Sequence, residues 1–180
     1  VVFIDYQKEQ FRVLQEELVF DSQSIELFFK KDQDGQLEHN LARLDVLIDG
    51  ENIPLLLDTS AQGYLSKEMQ GEENLPELTA ISFINASLFE AWQNKHPEWK
   101  VFKGGDESFR KKEDVIFVPS LFIGDEEIGP VAFAKRDDFN FEVMSERFMD
   151  QEIYGALGGN ALSKLNEITI NFKEQKLYLE

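Results

Sequence analysis

The chain has 180 residues, 42% hydrophobic and 12% aromatic, with 16 Phe, enough apolar material for one packed domain with or without an extension and too much for a disordered chain. Thirty-five acidic against 18 basic side chains give a formal net charge of −17, a field that repels a phosphate backbone and an anionic membrane surface, so no nucleic-acid partner is expected. No apolar run approaches the ~20 residues of a membrane-spanning helix, so no integral membrane segment is expected, and the absence of Cys removes disulfides, a thiolate nucleophile and Cys-based zinc sites.

The chain starts Val1-Val2 rather than Met, which predicts a removed leader or upstream segment and so points towards a periplasmic or secreted location. Val2–Tyr6 and Phe11–Leu14 flank the polar stretch 7–10 and predict a hairpin. Ser24–Phe29 is a further apolar run, followed by the turn cluster Lys30-Lys31-Asp32-Gln33-Asp34-Gly35. Asp32, Asp34 and Gly35 superficially resemble a calcium loop. An EF-hand register would put Lys30 at the first ligand position and Leu41 at the bidentate Glu position, so a charged hairpin tip is the better reading. Residues 1–40 are therefore expected to be an N-terminal strand and hairpin extension to a main domain over 41–180.

Ala42–Ile48 alternates with period two, Asp49-Gly50-Glu51-Asn52 is a turn, and Ile53–Leu57 is a more apolar strand running into Asp58-Thr59-Ser60-Ala61. Asn85–Trp92 carries Leu88, Phe89 and Trp92 at helical spacing, with Pro97 as a stop. Strands are expected at Lys100–Phe102 and Val115–Val118, around the turn Gly104-Gly105-Asp106-Glu107-Ser108. Further strands are expected at Leu121–Gly124 and Ile128–Ala134. Asp137–Asp150 reads as a loop with a short helix, its Phe141, Met144 and Phe148 inward. The stretch 153–162 precedes a helical turn, and Ile168–Phe172 with Lys176–Leu179 forms a last hairpin. Ile4–Phe11 also echoes Ile170–Leu177 in pattern. Two amphipathic hairpins resemble each other by chance, and the echo is also what the tail of a preceding, similar unit would leave.

A carboxylate at the end of a buried apolar strand, before small polar residues, suits a positioned acid or base; taken alone, the tripeptide equally suits a turn Asp satisfied by backbone amides. The ordered set Leu56-Leu57-Asp58-Thr59-Ser60-Ala61, Gly104-Gly105 and Ala156-Leu157-Gly158-Gly159-Asn160-Ala161-Leu162 resembles the single-lobe aspartic proteases of the retropepsin type, and in its ending their bacterial homologues. The resemblance covers about residues 40–180. It implies an all-β fold with short helices, a closed β-barrel with one lobe per chain, and a helix near Leu162. It implies Asp58 as the catalytic aspartate, Thr59 bracing the loop across a dimer, and Ser60 beside the acid. It further implies Ala61, Gly104, Gly105, Ala156, Leu157 and Gly158 along the substrate, with 101–115 as a flap and Ala156–Gly158 beneath the catalytic loop.

Such a site holds two aspartates sharing one proton. The chain has one such signature, since in Asp21-Ser22-Gln23-Ser24 a Gln takes the small-residue position. The second acid is therefore expected from a symmetric homodimer or a partner lobe, acting on a peptide or protein substrate with no metal or cofactor. Where the family has Gly, this chain has Ser60; the amide donor is kept and a side chain is added, which leaves tolerance, altered proton affinity and loss of the dyad all open. A dimer would carry about −34, twice the formal −17, so activity is expected at mildly acidic pH.

Two rivals come from other classes: an inactive descendant of the fold that binds a peptide or protein, and an envelope protein whose barrel serves assembly. His39 and His96 are expected at the surface, which argues against a Ser-His-Asp site. The Asn85-Ala86-Ser87 sequon is read as a helix cap. The glycines between 155 and 159 follow neither dinucleotide nor P-loop spacing.

Overall fold

The computed structural model describes residues 1–14 and 23–179 of the chain. Two hairpin strands, β1 (Val2–Asp5) and β2 (Gln10–Val13), open it, followed by β3 (Gln23–Glu26). The next pair, β4 (Arg43–Ile48) and β5 (Glu51–Leu57), forms because alternate β4 residues Leu44, Val46 and Ile48 are wholly buried. Its two-residue turn needs positive φ twice, and Asp49 (φ 52°) and Gly50 (φ 81°) supply it.

Residues 62–84, to which the sequence reading assigns no element, fold as β6 (Gln62–Tyr64), α1 (Lys67–Glu73), β7 (Leu78–Ala80) and β8 (Ser82–Asn85). Pieces of three to seven residues are too short to display a period. The helix expected after Asn85 is α2 (Ala86–Lys95), with the Asn85 side chain accepting from the Leu88 amide at 3.0 Å and Phe89 and Trp92 buried. The hairpin β9 (Val101–Asp106) and β10 (Glu113–Val118) follows, then β11 (Leu121–Ile123), β12 (Glu126–Ile128) and β13 (Val131–Arg136). The expected inward residues Phe141, Met144 and Phe148 lie on α3 (Asp138–Phe148), where they pack with Leu56 and Ile153. The chain closes with β14 (Gly155–Leu157), the short α4 (Gly159–Leu162), and the hairpin β15 (Glu167–Asn171) and β16 (Lys176–Leu179).

The molecule is thus mostly β with short helices. One sheet has nine strands in the order β12-β11-β4-β5-β14-β8-β13-β10-β9; a second has five, β2-β1-β15-β16-β3; β6 and β7 pair alone. Among the described residues no sheet closes on itself, where the resemblance implies a closed barrel. The five-stranded sheet joins both ends of the chain, and its Ile168, Ile170, Leu177 and Leu179 share one core with Leu44, Leu55, Phe89 and Phe133. Buried Arg43 holds Asp150 through two parallel bonds (2.9 and 2.8 Å), with its guanidinium over the Phe28 ring. Among the described residues no helix is long and apolar enough to cross a membrane.

The β4–β5 turn is tied to the end of α2. Asp49 accepts from His96 Nε2 at 2.8 Å and from Lys95, and the His96 ring stacks on Trp99 at 4.2 Å. These bonds hold the Asp49 carboxyl below its ordinary 3.8, Lys95 first and His96 second, and the Asp49 carboxylate holds His96 above its ordinary 6.5. The stabilisation carried by His96 is full below 6.5 and is lost as pH rises through its raised value; that carried by Asp49 is full above 3.8 and is lost as pH falls. His96→Gln is therefore expected to lower the thermal midpoint at about pH 5 and to change it little at about pH 9. Equal losses at both pH values would show that the pair is not charge-linked.

Candidate catalytic loop

Strand β5 lies between β4, antiparallel, and β14, parallel, with Gly155, Ala156 and Leu157 opposite Leu55, Leu56 and Leu57. The ladder continues one residue further, because the Asp58 amide donates to the Leu157 carbonyl at 3.0 Å. Strand β14 reaches this position only as a wedge between β5 and β8. A Cβ on Gly155 would stand 2.2 Å from the Phe83 carbonyl oxygen, and one on Gly158 2.3 Å from that of Ile81, so both approaches require glycine. Beneath the loop the Gly158 amide donates to Ser82 Oγ (2.9 Å), Ser82 Oγ donates to Asn160 Oδ1 (2.8 Å), and Asn160 Nδ2 donates to the Ala132 carbonyl (2.9 Å).

Within the loop, Asp58 Oδ1 accepts from both the Ser60 amide (3.0 Å) and the Ser60 hydroxyl (2.7 Å), and the Ala61 amide closes the turn onto the Asp58 carbonyl at 3.2 Å. The added serine side chain therefore turns onto the acid itself. Asp58 is half-buried, Thr59 and Ser60 are exposed, and Ala61 is buried. Among the described residues Asp58 Oδ2 carries no hydrogen bond.

A cleft of about 550 Å³ opens beside the loop, lined by Thr59, Met69, Leu75, Phe117, Asn160 and Lys164 among others. Asp58, Ser60 and Ala61 do not line it. The structure thus brings Asp58 onto Leu157 and the Thr59 carbonyl beside Gly159, residues about a hundred positions away, while Ser60 bonds Asp58 and the Ala61 carbonyl accepts from the Ile81 amide.

Gly104 and Gly105 are placed elsewhere. Gly104 sits at φ 60° with its amide on Asp114 Oδ1 (2.8 Å), and the Gly105 carbonyl accepts from the Ser66 amide at the cap of α1 (2.9 Å). The β9–β10 hairpin is fastened to β6, the Glu107 amide reaching the Tyr64 carbonyl and the Tyr64 amide the Ser108 hydroxyl. Two contributors were not singled out from sequence: Ser82, which has no local signal, and Asn160, which lies inside the glycine motif and bonds two segments. Of the second aspartate candidate, Asp21 and Ser22 lie outside the described residues, and Gln23 and Ser24 belong to β3. Among the described residues no group of three or more His, Asp or Glu is placed to hold a metal ion.

No protein-family model matches the sequence, and no curated protein matches it. A solved structure is similar in outline, a retropepsin-like aspartic protease from Rickettsia conorii, with 13% identity over 91% of this chain and 95% of that one and a TM-score of 0.45.

Proposed function

We propose that this chain is one lobe of a retropepsin-like aspartic endopeptidase, with Asp58 as the acid that activates water and a second Asp58 supplied by a symmetric dimer. The reading is carried by one observation: Asp58 ends a buried strand, its amide is pinned to Leu157, and among the described residues its carboxylate is held through Oδ1 alone. Oδ2 is then the oxygen available to a lytic water. In the dyad one carboxylate takes a proton from water as the water oxygen bonds to the scissile carbonyl carbon, and the protonated partner donates to the carbonyl oxygen. The tetrahedral adduct collapses as the C–N bond breaks and the amine nitrogen takes a proton from the dyad. No cofactor is consumed.

A second reading has its own support. The Ser60 hydroxyl already occupies Asp58 Oδ1, and the apolar cleft is lined by Thr59 but not by Asp58. These features fit an inactive module that binds a peptide or protein partner.

Digestion of a diverse peptide library between about pH 4 and 7, wild type beside Asp58→Asn, separates the two. The protease reading expects cleavage by wild type that rises below neutral pH and falls at least about 100-fold in Asp58→Asn. No cleavage by either, in a preparation shown to be dimeric, removes the protease reading and leaves the binding module.

A further inference from the structure

The first and last hairpins of the chain are copies of one another in more than pattern. In β1–β2 the facing pairs are Val2 with Val13, Ile4 with Phe11 and Asp5 with Gln10; in β15–β16 they are Ile168 with Leu179, Ile170 with Leu177 and Asn171 with Lys176. The turns correspond as well. Glu9 and Gln175, at matching positions, take φ of 52° and 55°. Asp5 Oδ1 accepts the Lys8 amide, as Asn171 Oδ1 accepts the Glu174 amide.

The two hairpins meet along β1 and β15 with Val2 opposite Ile170, Phe3 opposite Thr169 and Ile4 opposite Ile168. Exchanging each residue for its counterpart returns the same set of pairs. The seam therefore has a local two-fold axis through the Phe3–Thr169 pair, as two identical β15 strands would have across a dimer.

Two further observations mark the first hairpin as a stand-in. Leu177 and Leu179 are buried at 0% and 7% exposure beneath the core, whereas their counterparts Phe11 and Val13 are 65% and 66% exposed on the open edge strand. The hairpin has the apolar face of a lobe's terminal hairpin, and among the described residues nothing covers Phe11 and Val13. On the axis, Thr169 is wholly buried and its Oγ1 has no hydrogen-bond partner among the described residues, because Phe3 faces it. A second Thr169 in that place would supply one.

We infer that the β1–β2 hairpin occupies the seat of a second copy's β15–β16 hairpin, and that with this hairpin displaced two copies of the chain pair through β15, Thr169 against Thr169. The seam rests on register and burial and not on the protease reading. A dimer that cleaves nothing leaves the seam standing, and a cleaving protein without this dimer does the reverse.

The test uses the full-length chain. Phe3→Pro with Ile4→Asp removes a β1 donor and an apolar anchor and releases the hairpin. Sedimentation is expected to show a dimer. Thr169→Cys in that background, the only thiol of a chain without Cys, is expected to form an intermolecular disulfide that the same substitution alone does not form. A folded monomer, or a dimer without the 169–169 cross-link, overturns the inference. Should the released chain not fold, a second variant decides: writing residues 168–179 over positions 2–13 is expected to leave a folded protein with a thermal midpoint within a few degrees of wild type. Loss of the fold in that graft overturns the equivalence.

Discussion

Asp106→Ala is expected to lower the thermal midpoint by about 10–15 °C, equivalent to roughly 3–5 kcal/mol in a domain of this size. Asp106 is 1% exposed; its Oδ2 faces Arg136 Nη2 at 2.5 Å, while Oδ1 accepts the amide and hydroxyl of Ser108. Arg136 is itself 8% exposed, its guanidinium lying 4.1 Å over the Phe83 ring and 5.1 Å from that of Phe109. Removing the carboxylate leaves a buried cation without its countercharge, a group that water cannot reach to solvate. The pair also bolts the end of β13 to the end of β9, so faster hydrogen exchange is expected over 107–112. Asp106→Leu with Arg136→Met removes both charges and is expected to recover most of the loss, because the desolvation cost disappears with the attraction. A loss below about 1 kcal/mol in the single variant would mean that the ion pair is screened as a surface pair is.

Gly158→Ala is expected to damage fold and candidate site together. Its backbone (φ −93°) is open to any residue, so the effect is steric and not conformational. The new methyl would sit 2.3 Å from the Ile81 oxygen and 2.8 Å from its carbonyl carbon. Both are backbone atoms, and no rotamer change moves them. Strand β14 has to shift, and the Leu157–Asp58 and Gly158–Ser82 bonds shift with it. The expected cost is at the upper end of the roughly 1–3 kcal/mol of overpacking, with faster exchange of the Asp58 amide. Gly159→Ala is the control: its Cβ would meet the Ala80 methyl at 3.3 Å and the Thr59 carbonyl oxygen at 3.7 Å, contacts that a small adjustment absorbs. Equal effects at 158 and 159 would refute the wedge described for β14.

What the sequence determined by itself is local. The alternation of β4, the Asp49-Gly50 turn and the Asn85 cap of α2 are each set by residues within a few positions, and each forms where its pattern lies. The candidate acid was legible for the same reason: Leu56-Leu57-Asp58 is a buried run ending in a charge. The glycines of 155–159 were legible as a motif but not as a wedge, since the carbonyls that forbid a side chain belong to Ile81 and to Phe83 of β8, more than seventy residues earlier.

Only the tertiary structure decided which edges pair. Strand β14 enters between β5 and β8, the β9–β10 hairpin with Gly104 and Gly105 docks on β6, and Asp106 finds Arg136. No local period distinguishes these partners from other edges of similar polarity; they are selected by how the remaining apolar faces can be covered together. The Ser60 hydroxyl is a small case of the same rule. Sequence placed it beside Asp58, and only the closed turn, pinned by Leu157, brings it onto Oδ1. Barrel closure was beyond sequence reasoning for the same reason, because it depends on the stagger of strands far apart in the chain, which is a property of the assembled register.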